Sequence, residues 1–414
     1  MAFAFAALAG GAVIEPQRAG AETAYVRSAA EFAAAVDRLR WSGGTIVLRG
    51  ARYDRLRIGP RGPAKLTVRA TRNASVGMVQ LDRTRNVHLI ALRMTPRGGP
   101  AGVHGDYVRN VKLDRVVVTG GPTGRKANVV LRDSTGITIR KSRFSRCGDL
   151  AVCVLTGRSS VIRILKSRFR DCYGCDFVRG NFGHDLVIRQ NQFDRALVGP
   201  CGTDNDRCNH QEMIELHAGR FLTIERNRFG VYEPPGAGQV ALFGGVNDVR
   251  IRNNLFLRTD RRVPGVVARV GINLGGRGAH PKRVVISHNT ILSGRPHWRG
   301  FANSIRLKPS YAFMREADRP VIANNVIRLA RTPHFFCRGV RLTAGNLIEQ
   351  GEPCSSGDLI GPANLNAAGR PTAESVNVIG RGVPRWATMF DMRRIRRDAD
   401  PDAGAFEYVP PTLR

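Results

Sequence analysis

Short runs of alternating apolar and polar residues recur along this chain, each closed by the same three-residue phrase. The runs include Gly136-Ile137-Thr138-Ile139-Arg140, Leu186-Val187-Ile188-Arg189, Leu222-Thr223-Ile224-Glu225-Arg226, Val249-Arg250-Ile251-Arg252 and Val284-Val285-Ile286-Ser287. Alternation with period 2 predicts strands with one buried face. The closing phrase is a small polar residue, any residue, then a large apolar one. It stands at Ser142–Phe144, Ser167–Phe169, Asn191–Phe193, Asn227–Phe229, Asn254–Phe256, Asn289–Ile291, Asn325–Ile327 and Asn346–Ile348, with weaker copies ending near Met94 and Val118. Spacings of 24 to 27 residues recur, and others near 36 leave room for inserted loops. A period of roughly 20–30 residues with a strand in each unit means a stacked solenoid. The gaps carry no 3.6-residue apolar stripe and are too short for crossover helices, so the strands must stack in parallel, coil on coil.

The Asn/Ser position fits a corner. Asn tolerates left-handed backbone, and stacked Asn side chains can bond one another along the axis, while the apolar residue two places on points inward. This arrangement resembles the right-handed parallel β-helix of the pectate-lyase superfamily over roughly residues 80 to 350. The resemblance implies an all-β solenoid; that fold hosts lyases, hydrolases, epimerases and binding proteins. Residues 24–59 read as strand, amphipathic helix (Phe32 to Leu39) and strand (Gly43 to Leu48), and look like the N-terminal helical cap of secreted β-helix proteins. A cap covers core and strand edges at an open coil end. Asp400 to Tyr408 looks like the "D-x-GA-(F/Y)-E-Y" phrase of such proteins and is read as closure of the C-terminal end. The expected organisation is a leader over 1–21, a cap over 22–60, coils over 61–350 and a C-terminal coil and closure region over 351–414.

Composition adds a compartment. Met1 to Gly20 is rich in Ala, Phe, Leu and Gly, too short to span a bilayer, and reads as a signal peptide lacking its basic start. The chain has eight Cys, which in an exported protein suggest disulfides. Cys201 and Cys208 would staple a polar loop, and Cys337 and Cys354 would close the segment between them. Cys147, Cys153, Cys172 and Cys175 lie in adjacent coils and could pair within or between them. A lone C-x-x-C at Cys172 and Cys175 lacks a redox or zinc context.

The formal net charge is +32, yet only seven of the 65 basic residues are Lys; the rest are Arg. No nucleic-acid-binding pattern accompanies this charge, and the Arg residues fall at the outward strand positions. The partners it favours are acidic polysaccharides or cell-surface glycans rather than nucleic acid. A monomer without a transmembrane span is expected.

Candidate chemistry follows from aligning coils on the closing phrase. With Ile214 and Leu216 inward, Met213, Glu215 and His217 point outward. Phe177, Arg179 and Asn181 take those columns one coil earlier; Asn128, Val130 and Arg132 take them earlier still. Later coils offer Arg269 and Asn273, then Arg306 and Lys308, beyond an apolar break at Val240, Leu242 and Gly244. The resulting groove suits a uronate sugar. Arg179 would neutralise the carboxylate, and His217 or a desolvated Lys308, with Glu215, would remove the C5 proton in a β-elimination; Arg132, Arg269, Asn273 and Arg306 would bind substrate. Arg179–Glu215 reads equally well as a surface ion pair worth about 0–1 kcal/mol, which leaves non-catalytic glycan binding open. In the neighbouring loop, Asp204 and Asp206 resemble the front of a Ca²⁺ loop without its distal Glu. His210, Glu212 and Asp176 form a candidate buried polar cluster, structural or metal-binding.

The segment Glu212 to His217 followed by Asn227-Arg228-Phe229 is similar to the strand of alginate- and chondroitin-type β-helix lyases that carries their catalytic Lys, read near "E-I-I-S-x-K-S … N-T-F". Here His217 falls near that Lys, and Phe243 near the family's Arg. Any lyase activity must therefore use other residues. Neither the pectate-lyase calcium carboxylates nor the paired Asp of pectin hydrolases is present.

Overall fold

The computed structural model describes residues 22–50, 52–96, 101–120, 127–147, 152–197, 212–230, 238–257, 271–275, 279–292, 305–328, 337–349 and 352–410. They form a parallel β-helix of about 10 turns. The named strands pair in parallel, each with its counterpart one coil away. Three sheets run the length of the solenoid. The first includes Ala127–Arg132 and the opening halves of Val152–Leu165, Asp176–Arg189, Ile214–Glu225 and Val240–Arg252. The second takes the closing halves of those four long strands, which bend at register shifts between the sheets. The third stacks Arg143–Cys147, Arg168–Tyr173, Gln192–Leu197, Arg228–Phe229 and Leu255–Phe256.

The closing phrase builds the corner between the second and third sheets. Asn191, Asn227, Asn254, Asn289, Asn325 and Asn346 are buried, and each Nδ2 donates to the side-chain oxygen of the next rung at 2.8–3.1 Å, ending on Asp358. The backbone N–H of each rung donates to that same oxygen, and each Nδ2 also reaches a strand carbonyl, as Asn227 does with Ile188 at 2.8 Å. Ser142 and Ser167 continue the ladder with hydroxyls. The left-handed residue, however, is not the Asn. It is the residue before it: Lys166, Gln190, Arg226, Asn253, His288 and Asn324 have φ of 50–58°. The turn is made one position earlier, which leaves the Asn side chain directed into the stack.

Two residues on, Phe144, Phe169, Phe193, Phe229 and Phe256 stack face to face with centroids 4.6–5.2 Å apart. Ile291, Ile327 and Ile348 follow in the same column, all fully buried. Offset stacking adds about 0.5–1.5 kcal/mol per pair beyond burial of area.

At the N-terminal end the helix Ala29–Arg38 buries Phe32, Ala35 and Val36. Ser28 accepts from the Glu31 N–H, and the Glu31 carboxylate accepts from the Arg27 N–H, a near capping box. The C-terminal phrase lies elsewhere than expected. It runs back along the side of the last coils: the Ala405 N–H donates to Thr290, the Gly404 N–H to the Asn324 carbonyl, and Phe406 packs with Leu255 and Leu292. Arg397, buried, bonds Glu407 and the Gly404 carbonyl and holds this segment to Asn253.

Disulfides join Cys147 to Cys153, Cys172 to Cys175, and Cys337 to Cys354. The four central cysteines thus pair locally within each coil. Cys201, Cys208, Asp204, Asp206, His210 and Arg269 lie outside the described residues. Among the described residues no helix is long and apolar enough to cross a membrane.

Candidate functional site

The outward column of the first sheet reads His104, Val130, Leu155, Arg179, Glu215, Ala241, Asn273, Arg306 in paired register. Arg179 and Glu215 are neighbours, as the coil alignment predicts. Three expected outward residues are not outward. Phe177 joins the Phe stack, 6.0 Å from Phe169 and 5.9 Å from Phe193; Met213 is fully buried in the core; Asn128 is buried beside Val118, Ser145 and Cys147. Where each coil enters this sheet, two successive residues turn inward, Phe177 with Val178, Met213 with Ile214 and Asn128 with Val129, and alternation begins after them.

The apolar break is real but falls on other atoms. Val240 and Leu242 are core residues, and Ala241 fills the outward position. That coil separates two groups. Asn273, Arg306 and Lys308 lie beyond it, with Arg306 three coils from Glu215, about 14 Å at the usual strand spacing. Lys308 therefore does not share a centre with His217; its stem lies near Gly275, beside His280 and Ser310. Arg132, exposed, pairs with Gly157 and stands in the next outward column, two coils before Asn181.

What remains is compact. Glu215 is 2% exposed and meets two side chains, one on each oxygen. Arg179 Nε lies 3.2 Å from Oε2, and His217 Nε2 lies 2.8 Å from Oε1. Arg179 also reaches Asp176 at 3.4 Å, and Asp176 accepts the Glu212 N–H at 2.9 Å. Asp176, Glu212 and Glu215 each bring a carboxylate oxygen within 4.8 Å of the others. The sequence reading had assigned Glu215 to a groove and the other two to a structural cluster; the register joins them.

His217 owes its position to a bulge. Leu216 pairs with Gly180 and Ala218 with Asn181, so His217 is an extra residue on its strand. Bulges re-aim side chains and are common beside active sites. The coil beneath accommodates it through Gly180 at φ 131°, where a Cβ would lie 2.2 Å from the Thr156 carbonyl oxygen. The imidazole, 41% exposed, packs 5.4 Å from the Phe243 ring.

Charge in this cluster is unequally shared. Burial, then the neighbouring Glu212 and Glu215 carboxylates, push Asp176 well above the usual carboxylate range. Burial would raise Glu215 too, but hydrogen bonds from His217 and Asp176 and the Arg179 charge outweigh it and hold Glu215 below its ordinary value. The two shifts run in opposite directions and favour a proton held on Asp176 and a negative charge held on Glu215. Glu215 in turn fixes the imidazole by its Nε2–H, which leaves Nδ1 as the face that can take a proton. Three hard oxygen donors also suit a Ca²⁺ ion, and the retained Asp176 proton marks an excess of negative charge that a cation would relieve.

No protein-family model matches the chain, and no curated protein matches it in sequence. Solved structures do match in fold. A surface adhesin of Streptococcus pneumoniae, PfbA, aligns at 13% identity over 78% of this chain and 85% of its own, with a TM-score of 0.50. A tailspike protein of the E. coli bacteriophage HK620, solved with a hexasaccharide, aligns at 12% identity over 82% of this chain and 64% of its own, with a TM-score of 0.51. An alginate lyase from Paenibacillus aligns at 13% identity over 82% of this chain and 98% of its own, with a TM-score of 0.43.

Proposed function

We propose that this parallel β-helix is an exported protein acting on an acidic polysaccharide by β-elimination. The observation that carries this reading is the meeting of Arg179 and His217 on the two oxygens of one buried carboxylate. A uronate substrate would place its carboxylate on Arg179, 35% of whose side chain remains exposed. Neutralising that carboxylate acidifies the C5–H. His217 takes the proton at Nδ1, and Glu215 stabilises the imidazolium that forms. The electron pair left at C5 forms the C4–C5 double bond and expels the C4 oxygen of the leaving sugar, which takes a proton from solvent while the imidazolium later returns its own. General base catalysis of this kind contributes about 10²–10⁴-fold. Asp176, Glu212 and Glu215 would hold Ca²⁺ if it binds, and the chemistry it would supply is further neutralisation of a substrate carboxylate. Export is supported by the disulfides, which persist in oxidising compartments.

A second reading is favoured by the engagement of Arg179 with two carboxylates: a glycan- or cell-surface-binding protein without chemistry. One experiment separates them. Alginate, pectate, hyaluronan and chondroitin are incubated with the oxidised protein, with calcium or with a chelator, and absorbance near 235 nm is followed. A rise that His217→Ala abolishes supports elimination with this base. Retention of the same glycans without any rise leaves binding and ends the lyase reading.

A further inference from the structure

The outer face of the second sheet, away from the cluster above, carries a surplus of cations that the mechanism does not use. Arg189, Arg226 and Arg252 converge on the single carboxylate of Glu225 at 3.2, 3.2 and 3.5 Å. Glu225 is buried, and the Arg226 side chain is only 13% exposed. Arg189 and Arg252 reach Glu225 through Nε without hydrogen-bond geometry, and Arg226 donates through an Nη, so one carboxylate is shared among three guanidinium groups. Burial pulls Arg252 below the ordinary guanidinium value; Glu225 opposes this, and Arg250, Arg189 and Arg226 add to it. Half-buried cations in such excess are costly unless an anion joins them.

One outward position nearer the first sheet, a groove of about 440 Å³ runs beside this surplus. Val187, Thr223, Arg250 and Val285 succeed one another along it, coil by coil. Its far side is Phe221, an aromatic ring left 49% exposed on left-handed backbone at φ 62°. A bulky residue is uncommon in that conformation, which here turns the ring out to the groove. The groove's own lining sets Asp185 and Asp248 against Arg250 and Arg283, the last paired with Asp248 at 2.6 Å, so the net surplus lies in the adjoining Arg189–Arg226–Arg252 group around Glu225. Arg220 lies over the Phe221 ring at 5.3 Å from its centroid, and the floor mixes Val187 and Val285 with Thr223 and Arg250; a half-exposed ring beside clustered guanidinium groups fits a flat ring that carries an anion.

We propose that this face is a second, non-catalytic site for an anionic sugar, whose pyranose ring lies against Phe221 and whose carboxylate or sulfate is held by Arg250, Arg189 and Arg252. The choice of ligand rests on the acidic-glycan reading above but not on catalysis. Guanidinium forks recognise both kinds of anion by paired N–H donation. The site would anchor a polymer strand beside the reacting face and raise its local concentration.

The test is calorimetric titration with uronate hexasaccharides, a heparin hexasaccharide and neutral maltohexaose. Arg250→Glu and Phe221→Ala change exposed residues, and Arg72→Glu is a charge-matched control far along the solenoid. The expected result is binding of a charged hexasaccharide but not of maltohexaose, weakened about tenfold or more by Arg250→Glu and by Phe221→Ala, and unchanged by Arg72→Glu. Equal loss in Arg250→Glu and Arg72→Glu overturns it, because nonspecific charge then suffices. Unchanged affinity in Phe221→Ala overturns the sugar ring, and no binding of any charged probe overturns the site. Failure of elimination appears separately, as absence of 235 nm product in a protein that still binds.

Discussion

Two buried polar systems lie side by side in the middle coils, and they are built oppositely. The Asn ladder at the second corner is neutral and repeats: every rung donates to the next rung and to a strand carbonyl. The carboxylate cluster on the first sheet occurs once among the described residues, holds three acids within 4.8 Å, and is balanced by Arg179, by His217 and by the raised pKa of Asp176. A solenoid can repeat a neutral hydrogen-bonded rung indefinitely, because each coil satisfies the last. A stack of carboxylates cannot be repeated, since like charges at the coil spacing repel. The departure from the repeat therefore marks where structure has been given over to something other than folding.

The largest test of this contrast breaks the ladder. Asn254→Ala removes the acceptor for two Asn227 donors and the donor to the Ile224 carbonyl, all buried. A loss of about 4 kcal/mol is expected, since each buried group left unpaired costs about 1–3 kcal/mol. Urea unfolding measures it, and a loss below about 1 kcal/mol would mean the rungs are independent ornaments rather than a coupled spine.

The opposite outcome is expected in the carboxylate cluster. Asp176 is raised in the folded state, so the stability tied to its proton is full below the unfolded value of about 4 and is lost as pH rises through the higher folded value. Asp176→Asn mimics the protonated form and should remove that slope, making the variant more stable than the parent at pH 8. Thermal midpoints at pH 5 and pH 8 decide it; parallel pH dependences in the two proteins would show that Asp176 is ionised when folded.

The smallest effect belongs to charge on the surface. Arg158, 78% exposed, pairs with Asp133 at 3.0 Å. Arg158→Ala should shift stability by no more than about 0.5 kcal/mol. A larger change would indicate that the arginine-rich exterior stabilises the coils directly, and would weaken its assignment to glycan attraction.

The fold was legible because its determinants are local and repeated. Alternation fixed the strands, and the Asn-x-Phe and Asn-x-Ile phrases fixed the corner and the inner stack. The pairing of Arg179 with Glu215 was also legible, since equal offsets from Asn191 and Asn227 imply adjacency. The turn chemistry was misplaced by one residue, because hydrogen bonding up the axis, not backbone tolerance, selects Asn at the corner. Met213 and Phe177 were turned the wrong way because alternation was carried back into the corner where the coil enters the sheet, and there two successive residues face inward. The cluster on the second sheet was within reach: Arg189, Glu225 and Arg252 each stand two residues before a ladder Asn.

By itself the sequence determined a stacked parallel architecture, its capping helix, its phenylalanine column and the neighbours within each outward column, since each follows from a pattern repeated at the coil period. Tertiary structure decided what period alone cannot carry. The one-residue bulge gave His217 its aim. Burial from all sides turned Asp176 into an acid that keeps its proton, and the sum of separate loop lengths set Lys308 three coils from the base it was expected to replace. These are matters of three-dimensional distance and dielectric, to which a residue's place in a repeat is indifferent.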